Sequence, residues 1–191
     1  MDEGEFVGII GPNGSRKSTL HKTVYRTMKP DCSVIDINGI ILENMSLRES
    51  ALQLAVVAQH NYYNFKFEVE EVVMMGRTPH KKSMEMDTQT DRDIVEESLR
   101  KVNIINMKKR RFSSLSGGEQ QRIILASGLA QQTPILVLDE PTNHLDIKYQ
   151  LEVLDIVKNL GCTALCALHD LNLAAQYCDR LYIMKDGRIV S

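Results

Sequence analysis

Short apolar runs alternate with longer amphipathic stretches along most of the chain. Each run ends at glycine, proline or polar residues, and its length suits a buried strand better than a helix. The apolar runs are residues 5–10, 52–59, 135–140, 163–169 and 180–184. Strands that alternate with helices are typical of an α/β fold with a mainly parallel sheet, so we predict such a core.

A middle segment, residues 61–112, has a different character. It is rich in Met, Glu, Lys and Arg, and its apolar positions recur with a helical period. Thr90 followed by Asp93 is typical of a capped helix start. The predicted apolar stripe of this helix is Ile94, Val95, Leu99 and Val102. We therefore predict a helical subdomain over 61–112, inserted into a core formed by 1–60 and 113–191.

The composition is that of an ordinary globular protein. Of the 191 residues, 43% are hydrophobic and 25% are charged, and the formal net charge is −2. This balance provides no global attraction for nucleic acid, so we expect no nucleic-acid partner. The N-terminus is acidic where a signal peptide would be basic, and no apolar run approaches the ~20 residues that span a bilayer. We therefore expect a cytoplasmic location.

The stretch GPNGSRKST, Gly11–Thr19, follows the first apolar run and precedes a helix-like segment. It fits the phosphate-binding pattern G-x-x-x-x-G-K-[ST] except that Arg16 replaces the second glycine. In such a loop the backbone amides and Lys17 bind an anion, and Ser18 binds Mg²⁺. From this stretch alone, an ordinary glycine-rich turn remains the alternative.

A second polar motif, LSGGEQQR, begins at Leu115. Ser116 and Glu119 have the spacing of a capping box, so a helix is predicted to begin there. The two glycines between them leave backbone N–H groups that an anion could approach. A well-capped helix with a flexible start explains these residues equally well.

Two further runs end in groups suited to catalysis. Asp139 and Glu140 close one apolar run, and His169 closes another. Ligands of parallel sheets bind at the carboxyl ends of the strands, where one carboxylate can organise Mg²⁺ and the other can activate water. We expect Asp139 and Glu140 to point to opposite sides of an extended strand and to have different roles. A merely polar strand end is the alternative.

In this order and spacing, the motifs resemble those of the ATP-binding subunit of ABC transporters, over essentially the whole chain. Gly11–Thr19 is similar to the Walker A loop, Gln59 to the Q-loop and LSGGEQQR to the family signature. ILVLDE is similar to Walker B, Asn143–Asp146 to the D-loop and His169 to the switch histidine. Within the family, two segments, Val72–His80 and residues 168–190, most resemble importers of iron–siderophore complexes, haem or cobalamin.

The resemblance implies a P-loop NTPase fold, a site for ATP and Mg²⁺, and a set of roles. The implied ATP-binding residues are Gly11, Pro12, Asn13, Gly14, Ser15, Arg16, Lys17, Ser18, Thr19 and Gln59. The implied catalytic residues are Lys17, Glu140 and His169, and the implied metal-binding residues are Ser18, Gln59 and Asp139. The signature residues, which would act on the ATP of a second cassette, are Leu115, Ser116, Gly117, Gly118, Glu119 and Gln120. The D-loop residues are Leu145 and Asp146.

The resemblance also implies partners. Two copies, or two paired cassettes, would face head to tail and dock on membrane-embedded permease subunits. A periplasmic or surface substrate-binding protein would be an indirect partner. The chain would then be peripheral, on the cytoplasmic side of the plasma membrane, and ATP hydrolysis would power import.

Two departures from the family pattern weaken the expected binding of ATP. The family's first strands, one of which carries an aromatic that stacks on adenine, have no counterpart before MDEGEF, so we expect an N-terminally truncated cassette. Together with Arg16, this loss amounts to about 2–5 kcal/mol, or roughly 30-fold to several-thousand-fold in affinity. Two alternatives remain open: a degenerate cassette that no longer hydrolyses ATP, and a soluble ribosome-associated ABC protein.

Overall fold

The computed structural model describes residues 1–31, 34–58, 66–82, 84–143 and 145–190. The chain forms two compact units. One consists of Met1–Gln59 with Pro134–Ser191, and the other of His60–Thr133. We call them the sheet unit and the helical unit.

The sheet unit contains a six-stranded sheet, a two-stranded sheet and four helices within the described ranges. Its strands are β1 (Phe6–Ile10), β2 (Asp36–Ile37), β3 (Ile40–Ile41), β4 (Leu54–Val57), β5 (Ile135–Asp139), β6 (Thr163–Ala167), β7 (Arg180–Lys185) and β8 (Arg188–Ile189). Its helices are α1 (Lys17–Val24), α2 (Leu47–Gln53), α6 (Ile147–Leu160) and α7 (Leu171–Tyr177), with a 3₁₀ turn at Leu42–Asn44. The strand order in the large sheet is β4-β5-β6-β1-β7-β8, with every neighbouring pair parallel except β7 and β8. The predicted α/β fold class is confirmed.

The central strands are apolar because both of their faces are covered. All five residues of β1 are buried, as expected for a parallel strand with cover on each side. Helix α1 packs against β5 and β6, and α7 packs against β1. The register places Ile9, Ala167 and Asp139 at one level, so β1, β6 and β5 end at the same edge of the sheet.

Two tight turns are formed by Asn-Gly and Asp-Gly pairs. Asn38 and Gly39 have φ values of 53° and 82°, and Asp186 and Gly187 have φ values of 50° and 77°. Positive φ at both central residues is the requirement of the two-residue hairpin turn that matches strand twist. These residues therefore connect β2 to β3 and β7 to β8.

The helical unit contains α3 (Val69–Met74), α4 (Gln89–Lys101) and α5 (Gly117–Ala130), with 3₁₀ turns at Met75–His80, Ile105–Met107 and Phe112–Ser114. Its sequence-predicted end was residue 112, whereas the structural unit extends to Thr133. The physical reason is that α5 packs against both α3 and α4. Within the described ranges, no helix is both long and apolar enough to span a membrane.

The N-cap of helix α4 lies two residues before the predicted one. The predicted cap formed by Thr90 and Asp93 is wrong. Thr88 is the N-cap, and its Oγ1 accepts a hydrogen bond from the N–H of Asp91 at 3.1 Å. The Asp91 carboxylate in turn accepts from the Thr88 N–H at 3.0 Å. The predicted stripe is confirmed, with Ile94 partly buried and Val95, Leu99 and Val102 buried.

Gly76 provides a test of the packing inside the helical unit. A Cβ at this position would lie 2.1 Å from the Ser127 carbonyl oxygen of α5. Because backbone atoms cannot move aside cheaply, we expect Gly76→Ala to lower the free energy of unfolding by about 3 kcal/mol in urea denaturation. Gly117→Ala is the matched control, since no described atom lies within 4 Å of its added Cβ. Equal stability of the two variants would contradict the described packing.

Candidate nucleotide site

The loop between β1 and α1 is folded as a tight cradle around Lys17. The Lys17 side chain is buried and its Nζ donates to the carbonyl oxygens of Gly11 at 2.6 Å and Pro12 at 3.3 Å. Gly11 is required there, because a Cβ would lie 2.2 Å from the Met184 carbonyl oxygen. Burial lowers the pKa of Lys17, while the charges of Glu140 and Asp139 oppose that shift.

The N-terminus of α1 differs from those of most other helices. Among the described residues, no side chain caps it, and the residue before it is Arg16. The side chains that cap α2, α4, α5, α6 and α7 are those of Ser46, Thr88, Ser116, Asp146 and Asp170. The first N–H groups of a helix have no partner inside it. Those of α1 are therefore available to an anion, with the helix dipole and Lys17 adding positive potential.

Arg16 has a left-handed backbone, with φ 72° and ψ 23°. A glycine adopts this conformation without strain, whereas it costs any other L-residue roughly 1–2 kcal/mol. Its side chain is exposed and lies along the β7–β8 turn, since a Cβ on Gly187 would be 3.1 Å from Arg16 Cδ. The Arg16 side chain thus extends from the loop towards the β7–β8 turn.

Glu140 and His169 meet at the carboxyl edge of the sheet. His169 Nε2 lies 2.7 Å from Glu140 Oε1, and Asn143 Nδ2 donates to Glu140 Oε2 at 3.1 Å. Both carboxylate oxygens of Glu140 are therefore oriented. The expectation of an extended strand at this residue is wrong, because β5 ends at Asp139 and Glu140 has a φ of 52°. The chain turns there.

Asp139 has a separate, more buried environment. Its Oδ2 accepts a hydrogen bond from the Tyr25 hydroxyl at 3.2 Å, and its Oδ1 lies 3.4 Å from Nδ1 of the fully buried His21. Burial raises the pKa of the Asp139 carboxyl, and the Tyr25 hydrogen bond opposes that shift. The two neighbouring carboxylates thus have different partners.

The loop and the catalytic candidates line one cavity of about 800 Å³. Its lining residues are Asn13, Gly14, Ser15, Arg16, Lys17, Ser18, Thr19, Glu140, Asn143 and His169. The same cavity is therefore lined by the cationic loop, the N-terminus of α1, the Glu140 carboxylate and the His169 imidazole. This combination can bind a phosphate chain and place a base and a hydrogen-bonding group beside it.

The residues present fit Mg²⁺ bound together with a phosphate ligand. Ser18 and Asp139 supply hard oxygen donors, and within the described ranges the buried Oδ1 of Asp139 has no hydrogen-bond partner. No group of three or more His, Cys, Asp or Glu side chains among those residues could hold a metal alone. Mg²⁺ usually binds through one or two side chains plus phosphate oxygens, which matches this sparse donor set.

The predicted signature residues lie in the helical unit. Ser116 caps α5 and forms the predicted capping box with Glu119, whose Oε2 accepts from the Ser116 N–H at 2.7 Å. Gly117 is exposed, whereas Gly118 and Leu115 are buried. Gln120 Nε2 donates to the carbonyl oxygens of Phe112 and Leu115.

The D-loop residues lie in the sheet unit. Asp146 caps α6 by accepting from the Tyr149 N–H at 3.3 Å, and the Leu145 carbonyl oxygen accepts from Gln150 Nε2 at 2.8 Å. Gln59, predicted to bind ATP and metal, lies outside the described residues.

Three contacts around the carboxylates were not predicted from the sequence. Asn143 was assigned to the D-loop without its contact to Glu140, and His21 and Tyr25 were given no role. A signal for the latter two exists, because they follow Lys17 at intervals of four residues and so share its face of α1. Polar residues on the buried stripe of a helix indicate a polar partner in the core.

The chain is similar in sequence to known proteins. A family model described as ABC transporter matches residues 1–143. The cobalamin import ATP-binding protein BtuD of Halobacterium salinarum is 38% identical over 191 residues, covering 98% of this chain and 48% of that protein. The petrobactin import ATP-binding protein FpuC of Bacillus anthracis is 42% identical over 190 residues, covering 97% of this chain and 70% of that protein. The chain thus spans about half the length of the halobacterial relative.

A solved structure has the same fold. It is a dimeric, post-hydrolysis state of the ATP-binding cassette MJ0796 bound to ADP and Pi, with a TM-score of 0.84 and 28% identity. The match covers 100% of this chain and 85% of that chain. The family model, the two relatives and the shared fold lead to one conclusion: the chain belongs to the ABC transporter family.

Proposed function

We propose that this chain binds ATP and hydrolyses it to power import through an ABC transporter. The observation that supports this most is the convergence of Lys17, Glu140 and His169 on one cavity beside an uncapped helix N-terminus. An ordinary glycine-rich turn would not need a buried lysine facing two acidic strand-end residues. The relatives' names support an iron–siderophore complex, haem or cobalamin as the transported substrate.

ATP binding in this proposal uses the loop as the phosphate cradle. Lys17 and the amides of residues 13–19 hold the β- and γ-phosphates, and Lys17 exchanges its contacts with the Gly11 and Pro12 carbonyls for phosphate oxygens. Ser18, Gln59 and Asp139 would hold Mg²⁺, Asp139 acting through water. When bound, Mg²⁺ neutralises charge on the phosphate oxygens during transfer.

Hydrolysis requires a base, and Glu140 is placed to supply it. Its carboxylate accepts the proton of the attacking water, while Asn143 and His169 fix the two carboxylate oxygens. His169 also steadies the water and the γ-phosphate. The contact between His169 and Glu140 orients the base in the cavity that both residues line.

A second cassette completes the site in this proposal. Ser116 and the backbone around Gly117 and Gly118 would cover the γ-phosphate bound to the partner, and Leu145 and Asp146 would line the contact between copies. The dimeric state of the similar MJ0796 cassette supports this arrangement. ATP-driven closure would then move permease subunits, which places the chain on the cytoplasmic side of the membrane, with a substrate-binding protein as an indirect partner.

Arg16 favours a second candidate, a degenerate cassette that dimerises or docks without turnover. Its left-handed backbone is strained by roughly 1–2 kcal/mol. In solution that strain favours loop conformations that do not bind phosphate. Because only the remaining fraction of molecules can bind ATP, the apparent affinity for ATP is lower. The side chain itself lies along the β7–β8 turn, which leaves backbone strain as the main penalty.

Arg16→Gly should therefore bind ATP about 5–30-fold more tightly than the wild type. The measurement is isothermal titration of both proteins with an unhydrolysable ATP analogue and Mg²⁺. Met84→Gly is the matched control, because Met84 also has a left-handed φ, of 63°, and its side chain is fully exposed. It should relieve a similar backbone strain and leave the affinity unchanged.

Two outcomes separate the candidates. Unchanged affinity in Arg16→Gly would show that this position does not limit binding. Phosphate release that is absent in the wild type and appears in Arg16→Gly would replace the proposed function with the degenerate cassette.

A further inference from the structure

Helix α1 places three polar residues on one face at intervals of four. Lys17 begins the helix inside the phosphate loop, His21 follows one turn later, and Tyr25 is the C-cap residue. Lys17 Nζ contacts the loop, whereas the other two side chains converge on Asp139 of β5. The same helix thus connects the phosphate cradle to the buried carboxylate.

Tyr25 binds one oxygen of that carboxylate. Its hydroxyl donates to Asp139 Oδ2 at 3.2 Å across 114 positions of sequence. A tyrosine hydroxyl is a hydrogen-bond donor at neutral pH. This contact can therefore hold the carboxylate oxygen in place.

His21 lies against the other oxygen. Its side chain is 0% exposed, its Nδ1 is 3.4 Å from Asp139 Oδ1, and neither ring nitrogen has a hydrogen-bond partner in the part of the chain that the structure describes. An imidazole ring has at least one N–H in either charge state, so His21 has a donor to offer. An unpaired polar group this deeply buried is costly unless a partner is within reach. Asp139 Oδ1, itself unpaired among those residues, is that partner.

We propose that His21 and Tyr25 are positioning residues that hold the Asp139 carboxylate between them, with the Nδ1–H directed at Oδ1 and the hydroxyl at Oδ2. This inference rests on the proposed nucleotide function, in which Asp139 organises the water shell of Mg²⁺. Groups that orient a metal-organising carboxylate typically change metal affinity 10–100-fold when they are removed. The two residues therefore act on the metal site through Asp139 without contacting nucleotide.

The test compares nucleotide affinity with Mg²⁺ and with EDTA. The variants are Tyr25→Phe and His21→Leu, which remove the donors, and His21→Asn, which keeps a side-chain N–H near the position of Nδ1. Tyr177→Phe is the matched control, because Tyr177 also donates its hydroxyl to a carboxylate, Asp155 Oδ1, at 2.7 Å. Isothermal titration with an unhydrolysable ATP analogue gives both affinities.

We expect Tyr25→Phe and His21→Leu each to reduce the Mg²⁺-dependent gain in affinity by about tenfold, with affinity in EDTA unchanged. His21→Asn should stay within about threefold of the wild type, and Tyr177→Phe should match it. A loss of the same size in Mg²⁺ and in EDTA, or no loss at all, would overturn the proposal.

A second measurement does not depend on nucleotide. A double-mutant cycle of Tyr25→Phe with Asp139→Ala should give a coupling of about tenfold in the unfolding equilibrium constant, as for a hydrogen bond to a charged group. Coupling below twofold would overturn the pairing. If the wild type bound no nucleotide under either condition, the proposed function would fail, and this coupling alone would still decide whether the two side chains hold Asp139.

Discussion

Replacing Glu140 with glutamine should lower ATP turnover by at least 100-fold while ATP binding stays within about threefold of the wild type. A positioned general base contributes about 10²–10⁴-fold to rate, and an amide cannot accept the proton. Glutamine has the same size and can still accept from Asn143 Nδ2, which now contacts Glu140 Oε2 at 3.1 Å. The loss should therefore fall on the rate constant rather than on affinity.

Phosphate release under saturating Mg-ATP gives the turnover, and titration with the unhydrolysable analogue gives the affinity. Glu43→Gln is the control, because Glu43 is exposed and does not line the cavity of Lys17 and His169. Turnover of Glu140→Gln within tenfold of the wild type would remove Glu140 from the role of base. A parallel loss of affinity would assign it to binding instead.

Replacing Arg77 with alanine should produce the largest loss of stability, about 3–5 kcal/mol in the free energy of unfolding. Arg77 is 6% exposed, and its Nε donates to Asp91 Oδ1 at 2.9 Å. Its Nη1 donates to the Ala130 carbonyl oxygen at 2.9 Å and to Gln132 Oε1 at 3.0 Å, at the C-terminal end of α5. Truncation removes the cation that donates to the buried Asp91 carboxylate and leaves it Lys81, whose Nζ is 3.9 Å from Asp91 Oδ2. Losing the closer, buried partner is far costlier than losing an exposed ion pair.

Arg100→Ala is the matched control for urea denaturation. Arg100 lies in the same unit and pairs with Glu96 at 2.9 Å, but both side chains are exposed by more than a third. Such a helical i,i+4 pair contributes only about 0.3–0.5 kcal/mol. Removing Asp91 together with Arg77 should recover part of the loss, because no buried charge is then unpaired. Equal effects of Arg77→Ala and Arg100→Ala would contradict the buried ion pair.

The same pair has a definite pH dependence. Burial favours the neutral form of Asp91, but hydrogen bonds from Arg77 and Thr88 outweigh it and hold the pKa of Asp91 well below its ordinary value. A carboxyl whose pKa is lower in the folded state stabilises the fold above its unfolded pKa, near 4, and loses that contribution as the pH falls further. Acid destabilisation below about pH 4 should therefore be smaller in Arg77→Ala than in the wild type.

The parts of the site that the sequence predicted are those fixed by local pattern. The runs ending at Asp139, Glu140 and His169 are short and apolar, and a parallel sheet brings their ends to one edge whatever the packing details. The loop around Lys17 and the cap at Ser116 likewise depend on residues a few positions apart. The positions of these residues could therefore be predicted from the sequence alone. Their catalytic roles remain predictions.

The features that the sequence did not predict depend on contacts between distant parts of the chain. Two overlapping cap patterns fit the start of α4, and the choice of Thr88 over Thr90 places Asp91 where Arg77 can bind it. The helical unit extends to Thr133 because α5 packs on α3 and α4. No change in amino-acid composition indicates this boundary. The contacts of His21 and Tyr25 with Asp139 similarly depend on how α1 lies on β5.

We expect this chain to turn over ATP despite Arg16. The most direct test is Mg²⁺-dependent phosphate release by the purified wild-type chain, measured beside Glu140→Gln as the blank. Release should saturate with ATP and exceed the blank by at least 100-fold. Wild-type release no faster than that of Glu140→Gln would contradict it.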